Sequence, residues 1–139
     1  MIDKQRVYFL IQSDHLDPDE ITRHVGVEPT RVRVKESEIG PKTGDPAPPR
    51  HEWIVESWVL NPALPGTAPL DDQVQVLVAW LDGAWERIGE LTARGADALL
   101  VMARSFAWDG PDAQGFYLNP ETIAALHKAG AGVWLDEDN

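Results

Sequence analysis

The chain has 139 residues, 43% hydrophobic and 25% charged, a balance that suits one folded domain and excludes a disordered tail or a membrane protein. Twelve Lys and Arg against 23 Asp and Glu leave a formal net charge of −11, so the chain repels phosphate backbones and nucleic acid is not expected as a partner. Cysteine is absent, which removes disulfides, Cys-ligated zinc, iron–sulfur clusters and thiol nucleophiles together.

The first residues mix both charge signs, and the apolar run 7–11 is too short for a signal peptide, which needs about 7–15 apolar residues, or for a spanning helix of roughly 18. A cytoplasmic setting is expected, with no membrane partner. Residues 5–12 (QRVYFLIQ) read as a strand. Val7, Phe9 and Ile11 line one face and Tyr8 and Leu10 the other, as in a central strand covered on both sides.

A dense helix start follows. Asp17 can cap the first-turn amides, and Pro18 suits the first helical position, where its missing N–H costs nothing. Glu20 completes a capping box, Leu16 and Ile21 form a staple, and Gly26 is a natural stop. Leu118-Asn119-Pro120 with Ile123 repeats the pattern before a helix ending at Gly130. Either a strand–helix–strand unit is used twice, or common physics produced two good helix starts independently.

Between these starts, residues 28–50 are rich in Pro, Gly and charge and read as loop with one short strand at 31–35. Residues 52–60 (EWIVESWVL) read as the second main strand, and the proline-rich stretch 61–69 as a connection. Residues 71–94 read as one long helix with Val74, Leu77, Val78, Leu81, Ala84, Trp85, Ile88 and Leu91 on its inner stripe. Gly83 lies opposite that stripe, where its cost of about 1 kcal/mol is not expected to break the helix. A strand at 97–105, a turn at 108–111, brief pairing at 115–118, the last helix and a strand at 132–136 complete the chain.

The expected fold is therefore α+β, a single domain over 1–139. It is a two-layer sandwich with a four- to five-stranded mixed sheet and three helices mainly on one face. Its parts are a strand–helix–strand over 5–60, the helix 71–94, and a strand–helix–strand over 97–136.

Asp17-Pro18 with Ile21, Gly26 with Pro29, Lys35, Trp53, Gly130 and Asp136 are similar to the pattern of a bacterial family catalogued as domain of unknown function 4279. The similarity spans nearly the whole chain. Glu36 stands where that pattern tends to have Gly after the loop lysine, and Glu137 and Asp138 where it tends to have an aromatic. The resemblance implies a similar fold and no particular chemistry.

Reactive constellations do not emerge from the residues. His15 lies among Asp14, Asp17 and Asp19, but Asp17 is already used as a cap, and hard cations need several converging oxygens. Glu20 and His24 share a helix face with no second such pair, so a solvated pair is expected. Ser13, Ser37, Ser57 and Ser105 lie in no nucleophile elbow, and Gly40-Pro41-Lys42-Thr43-Gly44 lacks phosphate-loop spacing. No catalytic residue, metal or cofactor is assigned.

Two features stand out. Residues 31–50 hold five cations against three acids, whereas the remainder holds seven against twenty. On a strand, Arg31, Arg33 and Lys35 project from one face, where they can hold an anionic ligand or an acidic partner surface, discourage edge pairing, or salt-bridge the acidic body. The second feature is tryptophan, six in 139 residues. Trp80 sits about 90° from the inner stripe beside Val76 and Arg87, the composition of an interface core. Trp53 and Trp58 point to opposite strand faces, which brings one of them near the surface.

These readings favour a non-enzymatic intracellular binding module, resembling an inhibitor or immunity protein toward a basic partner. Its expected interface residues are Val76, Trp80, Arg87 and Trp58, and the partner is another protein or a second copy in a homodimer. The alternative is a small anionic-ligand-binding domain or minor enzyme using Arg31, Arg33 and Lys35 near Asp17 and His15.

Overall fold

The computed structural model describes residues 2–35, 50–106 and 116–138. In chain order the elements are β1 (Ile2–Ser13), α1 (Pro18–Val25), β2 (Arg31–Lys35), β3 (Arg50–Glu56) and α2 (Ser57–Leu60). They continue with α3 (Leu70–Trp80), α4 (Trp85–Ala93), β4 (Asp97–Phe106), α5 (Pro120–Ala129) and β5 (Gly132–Asp138). The five strands form one mixed sheet in the order β2-β3-β1-β4-β5. All neighbours are antiparallel except β4 and β5, which run parallel.

β1 is central, as its two apolar faces predict. Val7, Phe9 and Ile11 join Trp53 and Val55 of β3 and Leu100 and Met102 of β4 in the core. Ile21 of α1, Leu77 of α3, Ile88 of α4 and Leu126 of α5 cover that side of the sheet. Phe9 meets Trp85 edge to face with ring centroids 5.5 Å apart, and Trp53 donates its indole N–H to Thr22 Oγ1 at 2.9 Å. The α+β two-layer architecture holds, with five helices among the described residues in place of three.

Both helix starts form as their residues dictate. Asp17 Oδ1 accepts from the Glu20 amide at 2.9 Å and Asn119 Oδ1 from the Thr122 amide at 2.7 Å, each followed by Pro. The surrounding units differ nonetheless. β4 and β5 are adjacent and parallel across α5, whereas β3 inserts between β1 and β2.

Two expectations fail on local breaks. The helix expected over 71–94 is two helices, α3 and α4, parted by a turn in which Gly83 adopts φ +79°. The periodic stripe survives the break because Leu77, Leu81, Ala84 and Ile88 all still reach the core. The strand expected over 52–60 ends at Glu56 and turns into α2. There Ser57 is buried and donates to Gln73 Oε1 at 3.0 Å, and Gln73 in turn donates to the carbonyls of Gln5 and Ala68. This buried polar knot ties the chain reversal to β1 and α3. Residues 116–118 form no strand, and the turn expected at 108–111 lies outside the described residues.

Candidate interaction surface

The sheet face turned away from the helices carries the row singled out in β2. Register places Arg33 opposite Glu52 and Arg31 opposite Ile54, with Glu52, Ile54 and Glu56 alternating along β3. Arg33 Nε donates to Glu52 Oε1, and Gln12 Nε2 donates to the other oxygen of that buried carboxylate at 2.8 Å. Arg31 lies 3.7 Å from the Glu56 carboxylate. The Glu52 hydrogen bond raises the pKa of Arg33, so this cation stays charged at any ordinary pH. Tyr8 shares the face, and its hydroxyl is pushed above the usual range by burial. Lys35 closes β2 opposite Arg50, and its side chain lies outside the described set.

His15 and Asp17 stand elsewhere. His15 Nδ1 lies 3.0 Å from Asp14 Oδ1, and this hydrogen bond holds the Asp14 carboxyl below the usual range. Ser13 Oγ accepts from the backbone amides of His15 and Leu16, closing the turn after β1. His15 neighbours Gly95, and Asp17 caps α1 in the helix layer. The structure therefore does not gather Arg31, Arg33, Asp17 and His15 around one point. Among the described residues, no three His, Asp or Glu side chains form a metal-binding set.

The expected interface residues also separate. Trp80, 42% exposed, donates its indole N–H to the Glu28 carbonyl at 3.1 Å, and Arg87 Nε donates to the Val25 carbonyl at 2.9 Å. Together they fasten the α1–β2 connection to the helix layer, with Val76 half-buried one turn before Trp80. Trp58 meets Tyr8 edge to face at 6.4 Å, with the Arg6 guanidinium 5.0 Å over its ring. It belongs to the opposite side of the sheet from Trp80. Of the β3–α2 pair, Trp53 is fully buried and Trp58 half-buried.

Two features escaped the sequence reading. A groove of about 570 Å³ between α3, α4 and α5 has Asp82, Glu86 and Glu121 on its walls, Lys128 beside them, and Trp85 and Ala125 among its apolar lining. The other feature is β5, an edge strand whose Val133, Trp134 and Leu135 are all exposed, Trp134 to 59%. The signal was present as an apolar triplet followed by Asp136 and Glu137. Without sheet order, however, such a triplet reads as a buried strand.

An open mixed sheet with helices packed on one side, and charge pairs matched across β2 and β3 on the other, defines an α+β domain. Residues 3–139 match the family model described as Domain of unknown function (DUF4279), and the chain belongs to that family. No curated protein and no solved structure matches it. Among the described residues, no helix is long and apolar enough to cross a membrane.

Proposed function

We propose that this domain is a non-enzymatic protein-interaction module of the bacterial cytoplasm, acting as an inhibitor or immunity protein does, toward a cationic partner. The observation that carries this reading is the pairing of both arginines of the cationic strand with carboxylates of β3. Arg33 is matched to Glu52 and Arg31 to Glu56, so the excess of 23 acids over 12 cations is displayed elsewhere on the molecule. An exterior of this sign attracts basic proteins, speeds encounter and discourages self-association. The same matching weighs against a small anion on β2, because an anion there must compete with carboxylates already in place.

The test is affinity capture from the parent cell, followed by titration of the purified partner at two ionic strengths. We expect a basic protein whose saturable binding weakens at least about ten-fold between roughly 50 and 300 mM salt. An acidic partner, salt-insensitive binding or catalytic turnover would overturn the reading. If phosphate or sulfate raised Tm through the β2 arginines, the anionic-ligand reading would replace it.

A further inference from the structure

We propose that β5 is a strand-addition edge, and that its occupant is an extended, partly basic segment of the cationic partner, which pairs alongside β5 as a sixth strand. This deepens the reading above and rests on it.

The two edges of the sheet are built differently. β2 alternates Val32 and Val34, both about half exposed, with Arg31 and Arg33, and flanking cations are a common guard against unwanted pairing. β5 carries charge only in its last three residues, all acids, and Gly132–Leu135 has none. Its sequence, GVWLDED, contains neither proline nor lysine. Its register with β4 runs unshifted from Leu99↔Gly132 to Ser105↔Asp138, so no bulge twists it away. A regular strand paired on one side offers a row of outward backbone donors and acceptors on the other.

The side chains along that edge are exposed on both faces. Val133 (45%) and Leu135 (36%) project on the helix side, and Trp134 (59%) on the other. Such apolar exposure on both faces of one edge is what strand addition covers, with main-chain bonds giving affinity and alternate side-chain contacts giving selectivity. Asp136 follows Trp134 on the same face and makes no ion pair among the described residues, while Glu137 is held by Arg104.

Charge selects the occupant. A segment laid along β5 sets apolar residues beside Val133–Leu135 and a Lys or Arg beside Asp136, where opposite cross-strand charges are favourable. A second copy is a poorer occupant, because each copy brings a net charge of −11. Addition of β2 from another copy would extend head to tail without closing, and its arginines are already matched to Glu52 and Glu56.

The test titrates the intact ¹⁵N-labelled chain with a synthetic peptide of about ten residues that alternates valine or threonine with lysine. A control peptide of equal charge carries two prolines, which block strand pairing. We expect shifts and slowed amide exchange centred on β5, with binding weakened at least about five-fold in Leu135→Lys and in Asp136→Lys and about ten-fold for the proline control. Both substituted positions are exposed, and the amide spectrum verifies that each variant is folded. Equal binding of the proline control, or shifts centred on Asp82, Glu86 and Glu121, would overturn strand addition while leaving a cationic partner in place. Failure of both peptides to bind would overturn strand addition, whereas the cationic-partner reading stands or falls by the salt titration of the captured partner. Self-association abolished by Leu135→Lys would make a second copy the occupant and overturn the proposal.

Discussion

Glu52 illustrates how a carboxylate can be almost wholly buried at the centre of a strand: its side chain is 3% exposed, while its partner Arg33 is 52% exposed. The pair spans the two media, so its energy falls between that of a surface pair and a buried one. Arg33→Met removes a charged hydrogen-bond donor from a carboxylate that water barely reaches. Gln12 remains as a second donor, so we expect a loss of about 1–2 kcal/mol in urea unfolding. Adding Glu52→Gln should recover part of it, because the buried charge then disappears with its partner. A single variant as stable as the parent would show that the pair is ornamental. Asp17 acts by a different route, through the amide of Glu20, and that hydrogen bond sets its folded pKa below the ordinary 3.8. Its contribution is therefore complete above 3.8 and is lost as pH falls through the lower folded value. Asp17→Ala should lower Tm near neutral pH, and the gap from the parent should narrow in acid. A gap independent of pH would assign the effect to helix propensity instead.

At the level of elements, the break between α3 and α4 and the seam between α4 and α5 both turn on glycine, for different reasons. Gly83 adopts φ +79° with open space where a Cβ would stand, so Gly83→Ala meets only backbone strain, about 1 kcal/mol. Gly89 lies where α5 approaches α4, and a Cβ there would come within 2.1 Å of the Lys128 carbonyl oxygen. Thr92, one turn on, donates to the Ala129 carbonyl at 2.8 Å and holds the two backbones together. Gly89→Ala must therefore move a helix, and we expect a loss of at least about 2 kcal/mol, clearly beyond that of Gly83→Ala, in the same unfolding assay. Equal losses would show that the seam yields readily. These positions also show why part of the fold was legible in the sequence and part was not. The starts of α1 and α5 are written in side chains that reach amides three residues away, so local chemistry sufficed. The stripe from Val74 to Leu91 fits one helix or two in line, and only packing against the sheet chooses between them. The residues of the β2–β3 ion pairs were visible, but their matching depends on a register between distant segments. The exposure of Trp134 depends on β5 lying at an edge, which no local pattern encodes.

For the molecule as a whole, charge acts inwardly and outwardly with opposite responses to salt. Arg31, Arg33, Arg50 and Arg104 each lie within ion-pair distance of a carboxylate, yet acids outnumber cations by 23 to 12. The surplus repels itself in the folded chain and separates on unfolding. Screening should relieve that repulsion, so the urea midpoint should rise between about 20 and 500 mM NaCl with an unchanged slope. The partly buried pairs are screened less and should offset little of this gain. The same screening should weaken attraction to a cationic partner. A fall in the midpoint would show instead that surface ion pairs outweigh the net charge. Stability that rises with salt while binding declines would separate the two effects, because a general loss of folding would drive both downward.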